Sequence, residues 1–476
     1  MSAKATARTP QEIVERALAL SRAPHCAVIV DDTDAAWLRW AGDDVTAAGA
    51  SRTRRVTVVS GGRGGDAAVS ATVDDAADVR ALADLVRASR ELADRAGGTP
   101  ARLEPVRPAD TEGDGFDTEG PQPAAAPAQD ELTAGVRQFV RPAEEDPRAV
   151  SHGFAQHRTV TSWLGTSAGV RLRHHRPTST LDLSARAPDE SRTAWAGAVA
   201  DTFRDIDAAA VRSATTGLLR RPLPYRELPP GRYEVILAPA AVADLMTAVH
   251  RAAGAADAAD GRSVFARPGG GTRIGDTLAA LPLNLRGDPR EPGLECCPFV
   301  LSRGAVSDAF GEAVPSGADT ADNGLPLSAT HWMRGGTLTA LPASRADADR
   351  LGVPVRPAVG NLILDGGTDR SLAEMIRSTR HALLITCLWY IRPTDAGTLS
   401  LTGLTRDGVH LVEDGRVSAY VNDFRFAESP VSLLARAVEA GRTERAPGRE
   451  CGLLFPRTAM PPLRVPDFRF TARAPS

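Results

Sequence analysis

Two segments of helical periodicity enclose a run of alternating residues near the start of the chain, and this order constrains the fold most strongly. Apolar residues recur at helical spacing over residues 10–23 and again from Asp75 to Ala96. Four segments between them have the alternation and the β-branched content of strands: Cys26–Val30, Ala35–Ala41, Arg54–Ser60 and Ala67–Val73. A helix, a meander and a second helix predict a small α/β sandwich over residues 1–96.

The remaining sequence divides into three parts. Residues 97–130 are dense in Pro, Gly, Asp and Glu, which predicts a linker or an exposed loop. Alternation returns in residues 131–230 and is followed by a helical pattern from Asp205 to Leu219, which predicts a β-meander and a helix. Residues 231–476 contain many short strands separated by Asp-Gly turns, with helices near 239–257 and 370–381. We expect this part to be β-rich, with mixed sheets or a barrel-like arrangement, and the predicted fold class is α+β.

Composition excludes several classes of function. The 476 residues carry a net charge of -3 without a long Lys/Arg run, so no general attraction for nucleic acid is expected. The 5 cysteines are sparse and odd in number, which is not typical of a disulfide framework. No segment reaches the roughly 20 apolar residues that span a membrane, and the first residues lack the apolar core of a secretory signal. We therefore expect a cytoplasmic protein without a membrane partner.

Three segments together resemble a known family. They begin at Gly231 (GRYEVILAPAAVADL), at Gly403 (GLTRDGVHLVEDG, leading to NDFRF) and at Pro462 (PLRVPDFRF). With the N-terminal helix and meander, their order and spacing resemble the TldD/TldE (PmbA) peptidase family over most of the chain. The resemblance implies a heterodimer in which the TldD-type chain binds a metal through a His-Glu-x-x-x-His helix and a late Cys. It also implies that the TldE-type chain lacks these ligands and helps to line the substrate channel.

The position of that motif distinguishes the two subunit types. The metal helix should precede a Ser-Val-Phe segment, here Ser263 to Phe265, and counting back places the motif on Met246-Thr247-Ala248-Val249-His250-Arg251. Met246 and Arg251 then replace the two His residues, and Thr247 replaces the Glu. A neutral thioether is a poor zinc ligand, and a guanidinium cation opposes the charge of the metal. Threonine cannot take a proton from metal-bound water at neutral pH.

The resemblance therefore predicts a TldE-type, non-catalytic subunit without a metal or other cofactor of its own. Zinc is expected in a TldD-type partner, and the complex is expected to cleave unfolded peptides or peptide-derived precursors. The chain alone is expected to be inactive. Cys451 lies near the family's late Cys, but a similar Cys occurs in TldE-type chains, so it does not restore a metal site.

Five residues are candidates for contact with a peptide. Trp389, Tyr390 and Arg392 lie in the unusual segment Leu388-Trp389-Tyr390-Ile391-Arg392-Pro393, which could form part of a peptide-binding wall or could be a strand with an aromatic in the core. Arg392 and Arg425 could each hold a carboxylate through paired hydrogen bonds, or could be charges on a strand surface. His250 lies one residue from the expected ligand position and could equally be a polar residue on an exposed face.

Two other classes of function stay open from the sequence. One is a stand-alone hydrolase with a rearranged site that uses His250, His331 or Cys451. The other is a substrate-binding scaffold in natural-product biosynthesis. A shared metal ion at His174-His175 is not expected, because neighbouring residues of a strand point to opposite faces.

Overall fold

The computed structural model describes residues 8–42, 44–62, 65–73, 79–95, 104–113, 115–116, 128–136, 150–187, 192–304, 306–307, 313–314, 319–453 and 455–474. Much of the predicted linker at 97–130 lies outside these ranges. The fold is α+β, as predicted. The helices are α1 (Pro10–Leu20), α2 (Val79–Arg95), α3 (Ala128–Val136), α4 (Ala208–Leu219), α5 (Pro239–Arg251), α6 (Ala255–Ala259), α7 (Arg345–Leu351), α8 (Leu372–Ser378) and α9 (Pro430–Arg436).

The N-terminal half is built on one antiparallel sheet with the strand order β3-β2-β1-β4-β5-β6. Its strands are β1 (Cys26–Ala41), β2 (Asp44–Gly62), β3 (Gly65–Val73), β4 (Val150–Thr166), β5 (Arg171–Arg186) and β6 (Thr193–Ala200). This sheet joins strands from residues 1–96 with strands from 131–230, which the sequence analysis placed in separate parts. The division of the chain into domains stays a prediction.

The first two predicted strands are in fact one continuous strand, β1. The first was predicted to end at Val30 and the second to begin at Ala35, on either side of the polar run from Asp31 to Asp34. In the structure, Asp32 and Asp34 instead form ion pairs with Arg54 and Arg52 of the neighbouring strand, at 2.6 and 3.2 Å. Opposite charges on adjacent strands stabilise the pairing, so the polar residues extend the strand rather than end it.

The two faces of this sheet have different neighbours. One face packs against α1 and α2 through a core that includes Val28, Val30 and Trp163, and farther along against α3. The opposite face turns toward the C-terminal half, where Ile29 and Leu164 pack with Phe299. Helix α1 begins at a capping box in which Thr9 and Glu12 bond each other's backbone amides.

The C-terminal half contains two mixed sheets, the first of the two arrangements predicted. The larger has the order β16-β17-β20-β24-β8-β15-β18-β19-β7, and β21 pairs with β24. Its strands are β7 (Tyr225–Arg226), β8 (Gly231–Leu237), β15 (His381–Ile385), β16 (Leu388–Asp395), β17 (Ser400–Thr405), β18 (Val409–Glu413), β19 (Arg416–Val421), β20 (Phe424–Glu428), β21 (Glu439–Ala440) and β24 (Leu463–Arg473). Two pairs in it are parallel, β8 with β15 and β7 with β19, and the others are antiparallel.

The smaller sheet has the order β13-β12-β9-β14-β23-β22. Its strands are β9 (Asn284–Gly287), β12 (Thr330–Arg334), β13 (Thr337–Leu338), β14 (Leu362–Asp365), β22 (Glu444–Arg445) and β23 (Thr458–Met460), and a separate hairpin joins β10 (Val306–Ser307) to β11 (Ala313–Val314). Helix α5 lies in the main hydrophobic core of this half. Within the described residues, no helix is both long enough and apolar enough to cross a membrane.

Candidate functional site

Helix α5 occupies the position predicted for the family's metal helix. It follows β8 directly and starts with Pro239 in its first turn, where the missing amide proton costs nothing. Met246 has no exposed surface and Thr247 is 2% exposed, and Met246 belongs to the main apolar core. The Met246 thioether is therefore packed among hydrocarbon side chains, an environment that contributes to stability.

His250 and Arg251, at the end of the motif region, are half-buried. The ring of His250 lies 5.6 Å from that of Trp332 and 5.7 Å from that of Phe455. Burial lowers the pKa of His250 to about 4, so the imidazole is neutral near pH 7. Arg251 is half-buried, and its charge acts on the Cys451 thiol, whose pKa is nevertheless raised by burial.

The residues of this region do not fit a zinc ion. A catalytic zinc needs about three nitrogen, sulfur or oxygen ligands that converge on one point. In the part of the chain that the structure describes, no three His, Cys, Asp or Glu side chains are grouped so that they could share a metal ion. The Cys451 thiol also lies beside the buried Asp244 carboxylate, which contributes to its raised pKa and disfavours the thiolate form.

Asp244, two residues before the motif region, is a buried carboxylate that holds a neighbouring turn in place. It has no exposed surface and accepts backbone N–H groups from Arg449 at 2.9 Å, Glu450 at 3.2 Å and Cys451 at 2.9 Å. Burial raises the pKa of Asp244 to about 7, although these hydrogen bonds oppose the shift. Asp244 thus fixes the turn at residues 448–451 onto helix α5.

The turn approaches Asp244 so closely that a side chain is excluded at Gly448. A Cβ atom there would lie 2.2 Å from the Asp244 Oδ1 atom and 3.2 Å from the Asp244 amide nitrogen. Because the carboxylate is held by three hydrogen bonds, it has little freedom to move away. Glycine at this position is what allows the turn to dock.

Two charged side chains project from the anchored turn. The Arg449 guanidinium pairs with Asp407, donates to the Cys387 Sγ atom at 3.4 Å and lies 4.9 Å from the centre of the Trp389 ring. The Glu450 carboxylate accepts from the Arg392 guanidinium at 2.8 Å and from the Tyr390 amide at 2.9 Å. The turn therefore orients the segment that carries Trp389, Tyr390 and Arg392.

Arg449 and Glu450 border a cavity of about 530 Å³ between the N-terminal sheet and the C-terminal half. We call it the tryptophan cavity. Its walls include Phe154, Asp182 and Trp195 from the N-terminal sheet and Trp389 from β16, with Leu453 beside them. Asp182 is half-buried there, and the loss of solvent raises the pKa of its carboxyl group.

The structure brings together three of the five predicted contact residues. Trp389 is half-buried on the cavity wall, while Tyr390 is 53% exposed and lies beneath the Arg392 guanidinium at 4.4 Å. Tyr390 also has φ 53°, a left-handed conformation that is uncommon for a side chain of this size. Of the five candidates, all of which the structure describes, Trp389 alone borders the tryptophan cavity. Tyr390 and Arg392 follow it on β16, His250 packs between aromatic rings, and Arg425 lies on β20.

Sequence reasoning missed Asp244, Arg449, Glu450, Asp182 and Trp195. One signal could have identified Asp244, since it is an isolated charge within the apolar run of α5. A charge in such a run must find partners, because an unpaired buried carboxylate is strongly unfavourable. No pattern in the sequence indicates that those partners are amides about two hundred residues away.

The arrangement of β8, α5 and the C-terminal sheets defines a class of protein. Residues 230–472 match the family described as PmbA/TldA metallopeptidase C-terminal domain, which is about half of the chain. The chain therefore belongs to the PmbA/TldA metallopeptidase family. A comparison with curated proteins by sequence gave no match.

The whole fold is also shared with solved structures. TldE from Thermococcus kodakarensis superposes with a TM-score of 0.73 at 13% identity, covering 97% of this chain and 99% of that one. A putative modulator of DNA gyrase from Thermotoga maritima gives 0.73 at 15% identity, covering 97% and 100% of the two chains. A protein with a similar description from Bacteroides thetaiotaomicron gives 0.72 at 14% identity, covering 97% and 98%. At these identities the likeness establishes the fold.

Proposed function

We propose that this chain is a TldE-type subunit of a two-subunit metallopeptidase, and that it supports catalysis by a zinc-bearing TldD-type partner. The observation that carries the proposal is the content of helix α5. Met246 and Thr247 stand at the positions assigned to the first His and the Glu, and both are buried, with Met246 in the hydrophobic core. Neither a ligand nor a general base is available there.

The proposed role of the chain is to hold an extended peptide. Strand β16 lies at one end of its sheet, so one of its edges has no strand neighbour among the described residues. Such an edge can accept an extended peptide through main-chain hydrogen bonds. Trp389 on this strand lines the tryptophan cavity, and the Tyr390 amide beside it already donates to Glu450, so a peptide would pair with the remaining part of the edge.

The stand-alone hydrolase receives less support from the geometry. Its three candidate residues have surroundings that suit structural roles. Burial keeps the His250 imidazole neutral, with aromatic rings on two sides. His331 lies 3.2 Å from the Arg334 guanidinium, and the Cys451 thiol has a raised pKa. A nucleophilic cysteine needs the opposite electrostatic surroundings.

A reconstitution experiment tests the proposal. The chain and a TldD-type protein from the same source are purified separately and together without chelator, and cleavage of an unfolded peptide and zinc content are measured. We expect stoichiometric zinc and cleavage with the partner, and neither with this chain alone. Zinc or full cleavage in the isolated chain would refute the proposal, and a complex without cleavage would favour the scaffold function.

A matched pair of variants sharpens the test. Trp389→Ala removes an aromatic wall of the cavity, and Trp332→Ala removes an aromatic that does not border it. In the reconstituted complex we expect Trp389→Ala to raise KM for the peptide. Because Trp332 is in the core, its variant controls for a general loss of stability.

A further inference from the structure

A second cavity adjoins the tryptophan cavity. It has a volume of about 780 Å³ and lies between α4, the start of α5 and α8. We call it the arginine pocket, because its walls include Arg221, Arg377, Arg416 and Arg445. Trp195, Gly197 and Pro447 border both cavities, so the two lie on either side of these three residues.

The junction between the cavities depends on a glycine. A Cβ atom at Gly197 would lie 2.7 Å from the Trp195 ring and 3.4 Å from the Pro447 Cγ atom. A larger residue would therefore displace the Trp195 ring from the wall that the two cavities share. We call the two adjoining cavities together the groove, and its two ends have different chemistry.

The arginine pocket has an excess of positive charge. Glu444 is the acidic residue on its wall, against four arginines. In the part of the chain that the structure describes, the guanidinium groups of Arg221 and Arg416 have no ion-pair or hydrogen-bond partner. Arg377 pairs with Glu374, and Arg445 donates to the Pro292 carbonyl oxygen, so two of the four guanidinium groups are left to attract a carboxylate. A guanidinium can bind a carboxylate through two parallel hydrogen bonds.

The start of α5 adds to this field. Ala238 to Ala240 border the pocket, and the N-cap Ala238 has no side chain that could bond the amides of the first turn. These amides carry the positive end of the helix dipole, which favours an anion. The N-terminus of α5 and the arginines therefore both favour a bound anion.

The tryptophan cavity is nearly neutral by comparison. Its Arg449 pairs with Asp407, and its Glu450 pairs with Arg392, so neither charge is left for a ligand. Its Trp195 and Trp389 rings and the 61% exposed Leu453 offer an apolar surface. Apolar surface of this kind favours an apolar side chain over a charged one.

We infer that the groove binds an extended peptide in one direction, with an apolar side chain in the tryptophan cavity and a carboxylate in the arginine pocket. The inference rests on the proposed function, because it assumes that the ligand is a peptide. The carboxylate is either the C-terminal group of the peptide or the side chain of Asp or Glu. Both have the same chemistry at the pocket.

The test measures binding of fluorescein-labelled peptides to the isolated full-length chain by anisotropy. Three short peptides with one Phe are compared: a free acid, its C-terminal amide, and an amide with Glu as the last residue. We expect the free acid or the Glu peptide to bind about tenfold more tightly than the plain amide, because charge-assisted hydrogen bonds are lost in the amide. Tighter binding of the free acid identifies the C-terminal carboxylate as the group that is bound. Tighter binding of the Glu peptide identifies the side-chain carboxylate. Equal affinity for all three peptides would overturn the inference.

Variants locate the effect. Arg221→Gln combined with Arg416→Gln should remove the preference and leave affinity for the plain amide unchanged, while Arg350→Gln, outside both cavities, should keep it. Gly217→Leu should fill part of the arginine pocket without a backbone clash, because the nearest atom to a Cβ there is 3.7 Å away. If the preference survives both changes, the arginine pocket is not the site.

The outcome is separable from that of the proposed function. Carboxylate-selective binding without cleavage in the reconstituted complex would refute the subunit role and leave the groove standing. Cleavage of acid and amide peptides with the same KM would refute the groove and leave the subunit role standing.

Discussion

The buried carboxylate of Asp244 predicts an unusual dependence of stability on pH. Its pKa in the folded protein is about 7, well above its ordinary value of 3.8, because burial disfavours the charged form. Between these two values the folded state holds a proton that the unfolded state has lost. Stability from this group is therefore fully present at low pH and is lost as the pH rises toward 7.

The size of the effect follows from linkage. From about pH 5 to pH 8, ionisation of Asp244 in the folded state should cost roughly 2–3 kcal/mol of unfolding free energy. Asp244→Asn keeps the shape of the side chain and removes the titration. Its unfolding free energy should therefore fall less over this range than that of the wild type, by about that amount. Asp423 has a similarly raised pKa, but it titrates in both proteins and cancels in the comparison.

Urea unfolding followed by tryptophan fluorescence at the two pH values measures this difference. Asp395→Asn is a matched control, because the Asp395 carboxylate also accepts backbone amides, at 2.7 and 3.2 Å, but is exposed. We expect the control to keep the wild-type dependence on pH. If the unfolding free energies of Asp244→Asn and the wild type changed equally between the two pH values, the reasoning about burial would be refuted.

Four further tests by substitution examine the packing around the site. Gly448→Ala places a Cβ 2.2 Å from a buried carboxylate oxygen and should lower the unfolding free energy by about 1–3 kcal/mol. Gly217→Ala, in a helix with room for a methyl group, should raise the unfolding free energy by about 0.5–1 kcal/mol. If urea unfolding showed Gly448→Ala to be more stable than Gly217→Ala, the result would contradict the geometry. A double-mutant cycle of Arg392→Ala and Glu450→Ala should give a coupling of about 1 kcal/mol in unfolding free energy, because the Glu450 carboxylate is 8% exposed and the Arg392 side chain 31% exposed. A coupling near zero would exclude a stabilising ion pair. Met246→Ala should cost about 2–4 kcal/mol in the same assay, and a loss below about 1 kcal/mol would mean that this residue is not in a packed core.

The periodicity of apolar residues predicted which helices and strands form better than it predicted where they begin and end. Helices α1 and α2 and the strands around them follow from local spacing of apolar residues, which is a property of each segment alone. The continuity of β1 through Asp32 and Asp34 does not follow from local spacing, because it depends on arginines of the neighbouring strand β2. Charge pairing across a sheet is invisible to a local pattern.

The candidate site was predictable where a family motif gave positions to count from or where a short segment was itself unusual. Resemblance placed Met246 on the helix that follows β8, and the structure has α5 there. The tryptophan cavity could not be anticipated, since Trp195 and Trp389 come from different halves of the chain and meet only after folding. Trp389, Tyr390 and Arg392 were singled out because aromatic and arginine residues are unusual as neighbours. The sequence did not indicate that Glu450 would accept from the Tyr390 amide and from the Arg392 guanidinium.

The burial of Met246 makes the proposed loss of the zinc motif hard to reverse. Returning an imidazole to that position would place a polar ring among hydrocarbon side chains, and it would gain no ion until Arg251 had also changed to a ligand. The single change would therefore lower stability without restoring metal binding. Under the proposed function, the chemistry of the metal would then rest with the partner subunit.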